Sequence, residues 1–277
     1  MKVLVTVKAY PALSRKYKET VCTAGITENG EWIRIYPIPF RQIDYDKRFQ
    51  KYEWVELDLV RNLSDFRPES FRPYDINLSD IVSHGFVKSD KDAWIERRRY
   101  LLKKVYTNLS ELIAEAKNDQ IKTSLAIFKP TKIINFIYEE TDRNWSKEKL
   151  EYLKSQQLQL NLFDNENELD ISEFEVVSKL PYKFSFEFED DAGRYSKLMI
   201  EDWETGMLYW NSLARHEGDE LKACEDVKKR YFDDFALTKD YYFILGTTKL
   251  FHKTAPNPFV IIGDFRPKQI SQEELFH

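Results

Sequence analysis

The segment Trp32-Ile33-Arg34-Ile35-Tyr36 places ring, guanidinium and ring at alternate positions. Residues two apart on a strand share a face, so Trp32, Arg34 and Tyr36 are expected to point one way, with Ile33 and Ile35 turned into a core. Such a face has the chemistry of a single-strand groove, where cations meet phosphates and each base stacked on a ring contributes about 1–3 kcal/mol. The flanking residues Lys8, Tyr10, Ser14, Arg15, Lys16, Tyr17 and Arg41 extend the set. The competing reading has Trp32 and Tyr36 shielding a barrel end while Arg34 pairs with an acid.

Phe66-Arg67-Pro68 and Phe71-Arg72-Pro73 repeat one tripeptide. Proline stiffens such a loop, and Arg67 and Arg72 could clamp phosphate, or simply form salt bridges in a rigid connection. Arg97, Arg98 and Arg99 read as a solvated helix face. Catalytic signatures are few. No P-loop or GxSxG is present, and His84, His216, His252 and His277 do not form zinc spacings with the cysteines, so neither metal nor cofactor is expected. The E-x-K of Asp219-Glu220-Leu221-Lys222 falls at a helix start rather than on the strand of a metal nuclease. Glu201 and Asp202 precede Trp203, where a base-excising enzyme could hold a carboxylate beside a flipped base; otherwise Asp202 is an N-cap and Trp203 is core. His252, with Thr247, Thr248 and Lys249 nearby, lies in a loop that either binds phosphate or only turns.

Gln159-Leu160-Asn161-Leu162-Phe163 is similar to the pentapeptide by which bacterial polymerases and repair proteins dock on the β sliding clamp. Leu162 and Phe163 would enter an apolar pocket and Gln159 would bond at its rim. The alternative is a period-two strand, Leu158, Leu160 and Leu162, packing on its own protein. A looser echo, Gln272 to Phe276, lies near the carboxyl end.

The elements that must position these groups divide the 277 residues into two halves. Lys2 to Tyr10 reads as a strand, Glu19 to Ile38 as a hairpin around Asn29-Gly30, and Tyr52 to Val60 as a further strand. A helix is expected from Asp92 to about Lys117, with Ser89, Asp90 or Asp92 as its cap, followed by strands at 124–128 and 132–140. The charged, amide-rich stretch to about Glu173 reads as a connector. Strands resume with Tyr182, Phe184, Phe186 and Phe188 on one face. One helix then carries Trp203, Met207, Trp210 and Ala214 as a stripe, and a second, capped by Asp219, carries Cys224, Val227, Tyr231 and Phe235. Two closing strands follow. The expected class is a mixed, β-rich α+β protein. It comprises an OB-like barrel with a long helix at 1–140, a polar linker at 141–172, and an OB-like domain with a two-helix insertion at 173–277. One continuous sheet is the rival architecture.

A net charge of −5 excludes bulk electrostatic coating of nucleic acid but leaves room for a local basic patch, since Lys2, Lys8, Arg15, Lys16 and Lys18 meet no acid between them. Cys22 and Cys224 offer no disulfide framework. The short apolar run at the amino end does not read as a signal peptide, no segment approaches a membrane span, and the cytoplasm is the expected address.

Ser14 to Pro37, SRKYKETVCTAGITENGEWIRIYP, resembles the opening of the dual OB-containing domain family of prokaryotic proteins, in which an S-R-K cluster precedes C-x-A-G and then G-x-W-I-R-P. Here Ile35-Tyr36 stand between Arg34 and Pro37, a departure from that pattern. The closing YFILGT and PFVIIGDF also resemble the end of such chains. The resemblance implies tandem OB barrels, nucleic-acid sensing and company with phage-defence systems, and it supplies no catalytic residues. The leading expectation is a bacterial DNA-binding protein of genome surveillance or anti-phage defence that recognises single-stranded or modified DNA and docks on the sliding clamp, with other defence subunits as further partners. A DNA-processing nuclease or glycosylase and a protein-interaction subunit without nucleic acid are the alternatives.

Overall fold

The computed structural model describes residues 1–89, 93–163 and 176–269, with backbone alone for 156–163. The first part is a curled sheet built from β1 (Lys2–Lys8), β2 (Ala12–Ser14), β3 (Lys18–Thr27), β4 (Trp32–Ile38), β5 (Glu53–Glu56), β6 (Leu59–Arg61), β7 (Ser70–Pro73) and β8 (Val82–Phe86). Its strand order is β6-β7-β4-β3-β1-β5-β8, with β2 paired to β3. The β3–β4 hairpin closes at Gly30, whose φ of +84° is the left-handed conformation that a tight turn needs. The single strand expected over 52–60 divides into β5 and β6, which lie at different places in the sheet.

Beyond it come α1 (Ile95–Leu101), β9 (Val105–Tyr106), α2 (Leu109–Lys117), β10 (Leu125–Phe128), β11 (Lys132–Glu140) and α3 (Lys147–Phe163). The continuous helix expected to Lys117 is therefore two helices with a short strand between them. Asn108 stops the continuity: its extended backbone and side-chain oxygen, which accepts from the amides of Ser110 and Glu111, start α2 afresh. The chain ends in β12 (Tyr182–Glu189), β13 (Tyr195–Met199), α4 (Trp203–Arg215), α5 (Glu220–Lys228), a π-helical segment Lys229–Ala236, β14 (Tyr242–Thr247) and β15 (Phe259–Phe265).

The strands at 125–128 and 132–140, expected to close the first barrel, pair elsewhere. β10 lies between β9 and β14 in a sheet ordered β15-β14-β10-β9, and β11 pairs with β12 in a three-stranded sheet β11-β12-β13. The result is a β-rich α+β fold with three apolar layers. Val3, Val5, Ile33 and Ile35 fill one on the far side of the curled sheet. Leu4, Val7 and Ile26 face Leu125, Ile127, Tyr242 and Ile244 in the second, between the two larger sheets. Ala126, Phe128, Phe243 and Leu245 enter the third, with Phe136, Phe184, Phe186 and Phe188. Alternation along β1 and β10 thus feeds two cores at once, which is why those strands read as nearly continuous apolar runs.

α4 corrects the expected stripe. Thr205, Gly206, Tyr209 and Ser212 are its buried positions, whereas Met207 and Ala214 are exposed. Gly206 decides the rotation: a Cβ there would lie 2.2 Å from the ring of Tyr10, which rests directly on the helix. Asp219 caps α5 as expected, and Cys224, Val227, Tyr231 and Phe235 are buried.

Candidate nucleic-acid interface

Arg34 does not emerge with Trp32 and Tyr36. It is 4% exposed and enters the layer between the two larger sheets. Its Nη2 donates to the Ser124 carbonyl at 3.0 Å and to Ser124 Oγ at 2.9 Å, and its Nη1 donates to the Thr247 carbonyl at 3.2 Å. Ser124 Oγ in turn donates to Glu69. Burial lowers the Arg34 pKa. Trp32 packs against the same layer, and Tyr36, 40% exposed, accepts a hydrogen bond from Thr20 Oγ1. The strip expected on one strand face is therefore broken at its centre, because a second sheet covers that face.

Arg67 is also interior. Its Nε donates to Asp65 Oδ1 at 2.9 Å, and its Nη1 donates to the Thr247 carbonyl that receives Arg34. Burial raises the Asp65 pKa, but hydrogen bonds and the charge of Arg67, with a bond from Ser70, outweigh that and hold the carboxyl at about 2. Arg67 thus clamps no phosphate, while Arg72 is exposed. His252 is fully buried: Nε2 donates to the Ala116 carbonyl at 2.7 Å, so Nδ1 accepts from Thr247 Oγ1 at 2.7 Å. It fixes the closing loop and has no free face for a ligand.

Lys8 and Tyr10 lie in the seam between the halves of the chain. Lys8 Nζ sits 4.6 Å from the Phe40 ring centroid and donates to the Phe49 carbonyl, its pKa lowered by burial and by Lys51. Beside it, Lys51 Nζ lies 3.1 Å from both Asp202 Oδ1 and Glu204 Oε2. Burial works against the Lys51 ammonium, but Asp202, Glu204 and Asp264 more than offset it and raise its pKa. Burial raises Asp202 as well, against the pull of Lys51, and Glu201 likewise. Asp202 also caps α4, accepting from the amides of Glu204 and Thr205. Its oxygens are committed to structure, as the capping interpretation of the sequence expects.

What stays at the surface is a cluster around the β2–β3 turn. Ser14 Oγ accepts from the amides of Lys16 and Tyr17 and shapes the turn. Lys16 Nζ lies 5.0 Å from the Tyr17 ring centroid, the Arg15 guanidinium 5.5 Å from that of Tyr152 on α3, and the Arg48 guanidinium 5.8 Å from that of Tyr45. Tyr45 is 86% exposed and Tyr152 41%. Arg41 bridges Glu19 at 3.3 Å, and Gln42 donates to the Tyr17 carbonyl. These contacts bring segments 14–17, 41–48 and α3 together. The only carboxylate within ion-pair distance of Arg15 among the described residues is Glu148, at 3.9 Å.

Next to this cluster a cleft of about 420 Å³ opens between the start of α3 and α4, lined by Arg143, Trp145, Val177, Lys179, Trp210 and Glu220 among others. Trp145 Nε1 donates to the Val177 carbonyl at 2.7 Å, and Trp210 Nε1 donates to Tyr10 Oη at 2.8 Å. Arg143 grips Glu220 through both terminal nitrogens, and Tyr182 Oη adds a third bond. The Arg143 and Tyr182 hydrogen bonds hold the Glu220 carboxyl below its usual range. Sequence reasoning missed Tyr45, Arg48, Tyr152, Arg143, Trp145 and Trp210 as site residues. A tryptophan inside an otherwise polar connector was the available signal for Trp145.

The segment expected to dock on the clamp, Gln159, Leu160, Leu162 and Phe163, has its side chains outside the described residues, and the tail echo at 272–276 lies wholly outside them. Among the described residues, no group of three or more His, Cys, Asp or Glu is arranged to hold a metal ion, and no helix is long and apolar enough to cross a membrane.

No curated protein matches the chain. Among solved structures it is similar to a murine DNA-binding protein bound to double-stranded DNA, at 11% identity and a TM-score of 0.30 over 98% of this chain and 96% of that one. Residues 1–103 match a domain of unknown function, DUF8758, and residues 105–277 match a second, DUF8757. Since the second match spans more than half of its length, the chain belongs to the DUF8757 family.

Proposed function

We propose that the protein binds single-stranded DNA across the surface formed by Arg15, Lys16, Tyr17, Arg41, Tyr45, Arg48 and Tyr152. One observation carries this reading: three cations rest beside three tyrosine rings, two exposed and Tyr17 half-buried, on segments brought together by the fold. Cations that track phosphates, interleaved with rings on which bases stack, are the requirements of single-strand recognition, and ring stacking tolerates any base. The overall charge of −5 confines attraction to this patch. The resemblance of Ser14 to Pro37 to the dual OB-containing family extends the proposal to two OB-like units and to genome surveillance or phage defence. A tether from Gln159 to Phe163 onto the sliding clamp belongs to the same proposal. Replacing Leu162 and Phe163 by alanine should abolish co-elution with the clamp, and undiminished co-elution would remove the tether.

The principal test is fluorescence anisotropy with a labelled single-stranded oligonucleotide over a salt series. Affinity should fall steeply with salt, and the Arg15→Glu/Lys16→Glu double variant should weaken binding by on the order of ten-fold or more, with a shallower salt slope. Affinity indifferent to both salt and charge reversal would overturn the proposal and leave this surface as a protein contact.

A further inference from the structure

We infer that the cleft between Trp145 and Trp210 receives one base unstacked from the strand that crosses the basic surface; this rests on the single-strand reading above. Continuity is the first argument. Glu19 links the two regions: its Oε1 lies 3.3 Å from Arg41 Nε on the basic surface, and its Oε2 accepts from the amide of Val177 in the cleft wall at 2.7 Å. Tyr10 ties two parts of the cleft lining together, donating to the Ser178 carbonyl at 2.8 Å while accepting from Trp210. On a third side, α3 carries Tyr152, beside Arg15, and Leu150, which lines the cleft. Between Arg41 and the Val177 wall of the cavity stands only the Glu19 side chain.

Chemistry is the second argument. Both indoles have their N–H groups already bonded to protein, so each presents its ring surface with no donor left unsatisfied. The lining also supplies a carboxylate, Glu220, and two cations, Arg143 and Lys179. The Glu220 carboxylate is fixed by Arg143 and Tyr182, so it accepts from an exocyclic amine without first losing rotamer freedom. A volume of about 420 Å³ lies within the range of small-ligand pockets. A planar heteroaromatic group with an amino edge matches these walls, and a nucleobase on the adjacent strand is such a group. A free aliphatic or phosphate ligand would leave the rings unused.

The experiment compares binding of an intact oligonucleotide with versions carrying one abasic site at successive positions. Phosphate count is the same throughout, so the cation contacts of the basic surface are held constant, and positions stacked on its tyrosines lose affinity equally in the wild type and in the Trp145 variants. With the wild-type chain, loss of the base at one position should weaken binding by roughly ten-fold, within the range of one stacked base. In Trp145→Ala that position-specific difference should vanish, and in Trp145→Phe, which keeps a ring but loses the bond to Val177, part of it should return. Arg143→Ala should reduce discrimination between bases while leaving the salt slope unchanged. A pattern of positional losses identical in the wild type and Trp145→Ala would overturn the inference and leave the surface proposal intact. Failure of the wild-type chain to bind any oligonucleotide would overturn both.

Discussion

Lys51 and Asp202 form an ion pair of 3.1 Å with both side chains almost fully buried, and they join the first 103 residues to the last 173. The Asp202 carboxylate cannot be relaxed away, because it also caps α4. Truncating Lys51 therefore leaves Asp202 as an interior carboxylate with its cation gone and Glu204 and Asp264 close by.

Lys51→Ala should accordingly cost about 3–5 kcal/mol in urea unfolding. Asp202→Asn keeps a capping oxygen, and combining it with Lys51→Met should recover a large part of the loss. Additive losses in the double variant would show that the pair is not coupled.

The Asp65–Arg67 pair predicts an acid limb. The folded pKa of Asp65 is about 2 against an ordinary 3.8, so its contribution is fully present above pH 3.8 and is lost as pH falls toward 2. The magnitude is about 2 kcal/mol. Asp65→Asn should lower stability at neutral pH by at least that much, since Arg67 is left buried without its counterion. Its stability should also change less than that of the wild type between pH 4 and 2, as read by denaturant midpoints.

His252 predicts a second window. Burial lowers its pKa below 6.5, and the ring is neutral in the fold. The unfolded chain takes up a proton first as pH falls, so the stability that His252 contributes is complete above 6.5 and declines below it, by up to about 1.4 kcal/mol per pH unit. His252→Gln should flatten the dependence between pH 7 and 5. An unchanged slope would mean that another group titrates there.

Gly206 and Tyr10 predict a packing clash. Gly206→Ala places a methyl at 2.2 Å from the Tyr10 ring and should destabilise by about 1–3 kcal/mol. In a Tyr10→Ala background the additional cost of Gly206→Ala should shrink toward zero, measured by a double-mutant cycle in thermal or urea unfolding.

Local signals carried the strands and the hairpin. Asn29-Gly30 marked a turn that exists, and alternation in β12 named three phenylalanines that are buried. The same period-two rule placed Arg34 opposite Ile33 and Ile35, which is where it lies; what the rule could not tell was that a second sheet covers that side. The partners that make Arg34 an interior residue, Ser124 and Thr247, are 90 and 213 positions away. Strands 125–128 and 132–140 were found as strands but given to the wrong sheet, because pairing depends on distant residues rather than on local period. α4 was misread in rotation, since its most apolar stripe carries the tryptophans while a glycine and a tyrosine face the core. The basic turn at Ser14 to Tyr17 was legible because it depends on adjacent residues alone. The indole cleft was not, since it brings together positions 145, 177 and 210.

Arg34 and Arg67 converge on a single backbone oxygen, that of Thr247. A carbonyl is present whatever residue occupies that position, so the acceptor survives substitution but not a change in where β14 ends. The two matched segments are therefore poor candidates for recombination with unrelated partners. A hybrid spliced near residue 104 would take that oxygen from both guanidinium groups and Ser124 from Arg34, leaving Arg67 its Asp65 partner alone.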